Sequence, residues 1–157
     1  MQEVQAKIQL NGFTVRITEG VTIFFESSQE NVTRLMSINE SDSGLNTLKK
    51  RAEQTLKPID AKIQKAAKEN SLQPEMIKES VAAQVNIARE LYEYIYGAGI
   101  FEDLYSKIHD VTFWLENAEE IFQATLRGLD ADAKVRQRRM LNAQKKYINK
   151  KNKKRKR

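Results

Sequence analysis

Apolar residues recur three and four positions apart over most of this chain, and this spacing constrains the fold more than any other feature. Such residues share one face of a helix, and that face must be buried against another element. Three runs of this kind are present: Leu45, Leu48, Ala52, Leu56, Ile59, Ile63 and Ala66; Ile77, Val81, Val85, Ala88, Tyr92, Ile95 and Tyr96; and Val111, Trp114, Leu115, Ala118, Ile121, Phe122, Thr125 and Leu129. The sequence therefore predicts a mainly helical core.

Prolines and glycines divide these runs into helices. Pro58 lies within the first run and indicates either one bent helix or two helices, because proline removes a backbone donor. Pro74 suits the first position of the next helix, which the Gly97-Ala98-Gly99 step ends. A short helix is expected from Ile100 to about Ile108, and residues 127–130 are a candidate break in the last core helix.

The N-terminal segment has the alternation that is typical of strands. Apolar and polar side chains alternate at Val4, Ala6, Ile8 and Leu10, and again at Phe13, Val15 and Ile17. Asn11-Gly12 between them predicts a hairpin turn, because both residues tolerate positive φ. Glu19-Gly20 is expected to turn the chain into a third short strand over 21–25. Ser27 opens a capping box, with glutamate three residues later, and predicts a short helix to about residue 39.

Charge divides the chain near residue 130. Lys134–Arg157 holds 13 of the 27 basic residues, and no Asp or Glu follows Asp132. The rest of the chain holds 14 basic and 21 acidic residues, a formal net charge of −7. The sequence thus predicts a mainly α (α+β) fold, in which a β-hairpin packs on a bundle of about five helices over residues 1–130. The basic tail over 131–157 is expected to be helical or disordered, and to fray from Asn149.

The residues that most enzymes and metal sites use are scarce here. The chain has no cysteine and a single histidine, His109, so a zinc site of the usual kind is not predicted. His109 stands beside Asp110, but no nucleophile or second base follows at a useful spacing, so a polar helix end is the favoured interpretation. The acidic pairs at 102–103 and 119–120 are interpreted as solvated helix faces. No catalytic, metal or cofactor residue is therefore predicted, and the protein is expected not to be an enzyme.

The candidate functional residues are aromatic and basic, as in a protein that binds another macromolecule. Most aromatic residues keep to the predicted core faces, but Tyr94 and Phe113 fall off them. Together with Phe24 and Phe101, they are the candidate partner-binding residues. The basic tail suits non-specific nucleic-acid binding by counterion release, while an anionic membrane surface and an acidic protein stay open as alternatives. Its candidate residues are Arg136, Arg138, Arg139, Lys145, Lys146, Lys150 and Lys151.

The signals that would send this chain into or across a membrane are not visible in the sequence. Its apolar runs are far shorter than the roughly 20 residues of a membrane span. The first residues, Met1-Gln2-Glu3-Val4, lack the basic and apolar regions of a secretory signal. The lack of cysteine fits a reducing compartment. A cytoplasmic location is therefore expected.

The segment from Tyr94 to Tyr105 carries a resemblance to a known family. It reads Tyr-Ile-Tyr-Gly-Ala-Gly-Ile-Phe-Glu-Asp-Leu-Tyr, a helix end, a Gly-x-Gly step and a short aromatic helix. With the Leu10-Asn11-Gly12-Phe13 hairpin and the chain length, it resembles the tail assembly chaperones of long-tailed bacteriophages and prophages of Gram-positive bacteria. The resemblance implies a non-enzymatic protein that coats the tape-measure protein, associates with itself and in some members also has a longer frameshifted form. The basic tail is not part of the resemblance, and no binding residue is carried over.

Overall fold

The computed structural model describes residues 2–6 and 11–155. Helices make up 72% of this part, and residues 2–6 have no regular secondary structure. Two strands precede six helices in the described chain: β1 (Gly12–Thr18), β2 (Val21–Glu26), α1 (Gln29–Met36), α2 (Gly44–Lys68), α3 (Pro74–Tyr96), α4 (Ile100–Lys107), α5 (Val111–Glu116) and α6 (Ala118–Arg155). The predicted mainly helical fold with an N-terminal hairpin is confirmed, with six helices in place of about five.

The strands β1 and β2 form an antiparallel hairpin whose turn is Glu19-Gly20. Gly20 adopts a φ of 80°, a left-handed conformation that glycine tolerates because it lacks a Cβ. The hairpin turn predicted at Asn11-Gly12 is wrong, because Gly12 is the first residue of β1. A Cβ on Gly12 would collide with the carbonyl oxygen of Phe25, so this glycine permits close strand packing instead of a turn.

The strand predicted over residues 4–10 is not formed where the structure describes it. Val4 and Ala6 lie in a stretch without regular structure, whereas Ile8 and Leu10 lie outside the described residues. The strand predicted over 21–25 is confirmed as β2. Alternation decides which side chains share a face, but a strand also needs a partner for its backbone groups, and β1 pairs with β2.

One face of the hairpin is buried, and part of it rests on α6. Val21, Ile23 and Phe25 of β2 point inward and alternate with exposed residues. The ring of Phe13 in β1 lies over Gly128 of α6, where an added Cβ would come within 2.5 Å of the ring. The helix break predicted at residues 127–130 is therefore wrong. Gly128 makes room for a neighbouring aromatic ring, and α6 continues through it.

Helix α1 begins one residue later than the capping box predicts. Ser28 is the N-cap, and its hydroxyl accepts a hydrogen bond of 3.2 Å from the backbone amide of Asn31. Ser27 is buried, and its hydroxyl donates to the carboxylate of Asp132 in α6 at 2.9 Å. Ser27 is thus a tertiary contact between the end of the hairpin and α6, which sequence spacing alone could not show. The helix ends at Met36, earlier than predicted.

Helices α2 and α3 form a helical hairpin. The question left open by Pro58 is settled in favour of one helix. α2 is 25 residues long and continues through Pro58 without a break. Pro74 occupies the first turn of α3, as predicted. The predicted helix end at Gly97–Gly99 is confirmed, with φ values of 102° at Gly97 and 83° at Gly99. These two left-handed glycines turn the chain sharply into α4.

An aromatic cluster forms the centre of the core. The ring of Tyr92 lies 5.5 Å from Trp114 and 5.2 Å from Phe122, both in edge-on geometry. The buried Tyr92 hydroxyl donates to the carbonyl oxygen of Trp114 at 2.6 Å, and burial raises the pKa of this phenol above its usual value. Tyr96 and Thr125 share a second hydrogen bond of 2.6 Å. The hydroxyl groups in the centre of the core therefore all take part in hydrogen bonds.

The last predicted core helix is two helices. Asp110 caps α5 by accepting hydrogen bonds from the amides of Thr112 and Phe113, which confirms the polar helix end at His109-Asp110. Asn117 separates α5 from α6. The 38 residues of α6 span about 57 Å, since the rise per residue is about 1.5 Å. The fraying predicted from Asn149 is also wrong, because α6 reaches Arg155.

Candidate partner-binding surfaces

An apolar groove lies between α2, α3 and α5. Its volume is about 800 Å³, and Leu56, Ile87, Leu91 and Leu115 line it. The groove exists because the apolar stripe of α2 is fully buried only near its ends, at Leu45 and Ala66, while the central residues are half-buried. An apolar surface of this shape suits the apolar face of a helix.

Charges alternate along the wall of the groove that α2 provides. Lys49, Glu53, Lys57 and Asp60 follow one another at helical spacing. Lys49 donates to Glu119 at 2.6 Å, and this hydrogen bond lowers the pKa of the Glu119 carboxyl. The other three side chains belong to exposed residues. The rim therefore offers both positive and negative side chains to charged groups of a partner, and these side chains stay in contact with water.

A second apolar surface lies on the N-terminal half of α3. Ile77 and Val81 belong to the same predicted face as Ala88 and Tyr92, yet they are 43% and 39% exposed, whereas Ala88 and Tyr92 are fully buried. Ile77 and Val81 are exposed because the aromatic residues of α4, α5 and α6 pack only on the C-terminal half of α3, around Tyr92. We call Ile77, Val81 and Val85 the α3 stripe.

The third surface is the C-terminal part of α6, residues 133–155, which we call the extension. Met140 is 58% exposed and Tyr147 is 70% exposed. They follow the buried Leu129 by 11 and 18 residues, which is about three and five turns at about 3.6 residues per turn. Met140, Ala143 and Tyr147, the extension stripe, therefore continue the face that α6 buries in the body. No part of the described chain covers them.

The predicted basic residues all lie on the extension. Arg136 forms an ion pair with Asp132 at 3.2 Å, and Asp132 also accepts the Ser27 hydroxyl, so the root of the extension is anchored to the body. The remaining candidates belong to exposed residues: Arg138, Arg139, Lys145, Lys146, Lys150 and Lys151. Lys134, Arg138 and Lys145 lie opposite the extension stripe at helical spacing, whereas Arg136 lies on the same side of α6 as the stripe.

The four predicted aromatic residues do not form one surface. Phe24 is 45% exposed on the outer face of the hairpin. Phe101 is only 1% exposed and packs between Tyr92 and Tyr105, so its prediction as a contact residue is wrong. Phe101 and Leu104 are the buried residues of α4, so Phe101 belongs to the core-facing side of this helix.

Tyr94 and Phe113 are half-buried. The Tyr94 ring packs over Gly44, and the guanidinium of Arg34 lies 5.9 Å from the ring centroid. The Phe113 ring packs edge-on against Trp114 at 5.0 Å. Each ring thus has an intramolecular role and is only partly exposed to solvent.

The described residues contain no group of three or more His, Asp or Glu side chains that could hold a metal ion. The His109 ring packs on Tyr105 at 4.2 Å, and its neighbour Asp110 caps α5. None of the helices in this part of the chain combines the length and apolar character that crossing a bilayer requires. Comparisons with protein-family models, curated proteins and solved structures found no match.

Proposed function

We propose that this protein is a non-enzymatic tail assembly chaperone of a bacteriophage or prophage, which binds and shields the tape-measure protein in the host cytoplasm. The observation that carries the proposal is the open groove between α2, α3 and α5, of about 800 Å³. The segment from Tyr94 to Tyr105, which resembles that family, forms the end of α3 and most of α4.

The groove suits a long helical partner better than a small molecule. It opens along the middle of α2, and its floor holds aliphatic side chains at helical spacing, such as Ile87 and Leu91 of α3. An amphipathic helix can place its apolar residues on this floor while its backbone stays fully hydrogen-bonded. A tape-measure protein is long, helical and apolar in places, so its exposed stripes aggregate unless they are covered.

Shielding also has to be reversible, because the partner must be released when the tail tube forms. The rim charges Glu53, Lys57 and Asp60 are solvated, and exposed ion pairs contribute at most about 1 kcal/mol each. The rim therefore adds little affinity to what the apolar floor supplies, and a contact of this kind can be released. Several copies along one long partner still give a stable complex through multivalency.

The test is co-expression of the full chain with a tape-measure fragment, with the soluble fraction of the fragment as the readout. Ala61 is exposed and lines the groove, so Ala61→Trp should plug it without disturbing the core. Ala67 is exposed on the same helix outside the groove, which makes Ala67→Trp the matched control. We expect Ala61→Trp to return the fragment to the pellet and Ala67→Trp to act like the wild type.

The proposal fails if the wild-type chain does not solubilise the fragment. If both tryptophan variants solubilise the fragment equally well, the groove is not the binding site. Circular dichroism of both variants checks that each is folded, because both substitutions lie at exposed positions of α2.

The alternative function is nucleic-acid binding through the extension. The observation that favours it is the run of exposed basic residues with no acidic residue after Asp132. Such binding would be independent of sequence and would weaken steeply with salt. Replacing Lys145 and Lys146 by glutamate should then weaken binding to duplex DNA at low salt, because two of the 13 basic residues after Asp132 change sign. Binding that is unchanged by this double substitution would remove the alternative.

A further inference from the structure

The extension of α6 runs beyond the body with an apolar side that the described chain does not cover. Residues 137–154 are all exposed, and they form a helix about 27 Å long at about 1.5 Å per residue. The extension stripe, together with Gln144 and Ile148, lines a shallow apolar depression of about 500 Å³. Contact of these apolar side chains with water is unfavourable. The stripe therefore suits a partner that has an apolar face of its own.

A row of basic residues borders the stripe on one side. Lys146 and Lys150 follow Arg139 by seven and eleven residues, which is about two and three turns. These three side chains therefore share one side of the helix. Ala143 of the stripe lies next to them, because it follows Arg139 by four residues. We call Arg139, Lys146 and Lys150 the basic edge.

The charges of the basic edge have no partner within the described chain. Its ion pairs include no basic residue from Arg138 to Lys154, and no acidic residue follows Asp132. Lys146 and Lys150 are four residues apart, and like charges at this spacing destabilise a helix. Carboxylates placed along the basic edge would offset this repulsion. The border of the stripe is therefore complementary to an acidic partner.

The position of the body decides which partner fits the stripe. The stripe continues the face that α6 buries at Phe122 and Leu129, so the body stands on the same side of the helix. An amphipathic helix binds a bilayer by lying flat on it, and a flat surface meets the body before it reaches the whole stripe. A DNA duplex would bind the basic side chains and leave the stripe in water. A single helix is about 10 Å wide and fits along the stripe beyond the body.

We propose that the extension binds an acidic amphipathic helix of another protein. The apolar face of that helix lies on the extension stripe, and a row of its carboxylates faces the basic edge, as charged residues border the apolar seam of a coiled coil. Residues 1–133 have a formal net charge of −7 and repel an acidic helix, whereas the extension attracts it. The site is separate from the groove between α2, α3 and α5, so the inference does not rest on the proposed function.

The probe for this site is a labelled synthetic peptide of three heptads. It has leucine at the first and fourth positions of each heptad and glutamate at the fifth and seventh, and repulsion between the glutamates keeps it from pairing with itself at neutral pH. Fluorescence anisotropy measures its binding to nuclease-treated full-length protein. A peptide with lysine in place of glutamate is the control for charge. We expect the lysine peptide to bind at least about tenfold more weakly, because the basic edge repels it.

One substitution tests the stripe without changing the charge of the protein. Tyr147 is 70% exposed and is the largest side chain of the stripe, so Tyr147→Ser removes most of the apolar area that a partner covers. It should weaken binding of the acidic peptide by about tenfold. Leu141→Ser is the matched control, because Leu141 is 48% exposed but lies about 120° around the helix from Tyr147. We expect this control to bind like the wild type.

Two triple substitutions test the basic edge at equal net charge. Replacing all three residues of the basic edge by glutamine should weaken binding of the acidic peptide by about tenfold, because three charge pairs are lost at the interface. Replacing Lys134, Arg138 and Lys145 by glutamine is the control, since these residues lie opposite the stripe. Salt screens charges at that distance, so the control should weaken binding by about twofold or less.

Several results would overturn the inference. A wild type that does not bind the acidic peptide would do so, as would equal binding by Tyr147→Ser and Leu141→Ser. Equal losses from the two triple substitutions would show a non-specific attraction between charges. If Tyr147→Ser weakens binding to phosphatidylglycerol vesicles or duplex DNA as much as binding to the peptide, the stripe does not select a helix. Ala61→Trp, which plugs the groove, should bind the peptide like the wild type, and a loss would place the peptide in the groove.

Discussion

The two parts of α6, residues 118–132 and the extension, continue one helical face, but other elements pack on that face only in the first part. In residues 118–132 the face carries Phe122, Thr125 and Leu129, all buried, whereas in the extension the same face carries Met140, Ala143 and Tyr147 at the surface. Helical periodicity is present in both halves. Periodicity therefore predicts a face, and only the neighbouring elements decide whether that face becomes core.

The largest expected difference between the halves comes from removing one aromatic ring from each. Phe122→Ala should lower the free energy of unfolding by about 3–5 kcal/mol, because the ring is fully buried and its loss leaves a cavity. Tyr147→Ala should change it by less than about 0.5 kcal/mol, because the ring is 70% exposed. Urea unfolding of dilute protein measures both. A comparable loss from Tyr147→Ala would mean that the extension packs on its own body.

A smaller effect is expected where β1 meets α6. Gly128→Leu should cost about 1–3 kcal/mol by overpacking, because a Cβ there comes within 2.5 Å of the Phe13 ring. Leucine is otherwise the better helix former, so its intrinsic preference opposes this loss. Asn142→Leu in the extension is the control and should leave the unfolding midpoint almost unchanged. If Gly128→Leu stabilises the protein, the Phe13 ring is free to move and the hairpin is not held on α6.

The smallest effect concerns pH. The hydrogen bond from Lys49 lowers the pKa of Glu119 in the folded state below its unfolded value of 4.5. Its contribution to stability is thus present above pH 4.5 and is lost as the pH falls through the folded-state pKa. The Glu119 side chain is 59% exposed, so water screens the pair and the contribution is below about 1 kcal/mol.

Glu119→Gln should therefore destabilise the protein slightly at pH 7, and the destabilisation should become smaller as the pH falls below 4.5, as measured by unfolding at pH 7 and pH 3. The extension has no carboxylate after Asp132, so variants there should show no such dependence on pH. An effect of Glu119→Gln that is the same at both pH values would show that the lost contact is not ionic.

Several features of the fold could be predicted because they depend on neighbours in the sequence. Pro74 begins α3 and the glycines at 97 and 99 end it, since both rules act on the local backbone. The basic extension was also evident from composition alone. The helical stripe of α2 was predicted residue by residue, but its exposure was not, because exposure depends on how far α5 lies from it.

Other features depended on contacts between distant segments. Turns were predicted at both Asn11-Gly12 and Glu19-Gly20; the second is confirmed by the pairing of β1 with β2, whereas Gly12 is the first residue of β1. Ser27 and Ser28 are both acceptable caps, and the tertiary hydrogen bond of Ser27 to Asp132 left Ser28 as the cap. For the candidate site, the sequence identified the basic residues, but it included the buried Phe101 and missed the groove.

The sequence by itself determined the mainly helical character, the helix boundaries at Pro74 and at the Gly97–Gly99 step, and the separation of charge, because each follows from the preferences of single residues and their spacing. Tertiary structure alone decided which apolar faces became core, which glycine turned the chain, and that α6 continues through Gly128 to Arg155. The physical reason is that burial and steric fit are properties of two surfaces together, and a linear sequence lists each surface without its partner.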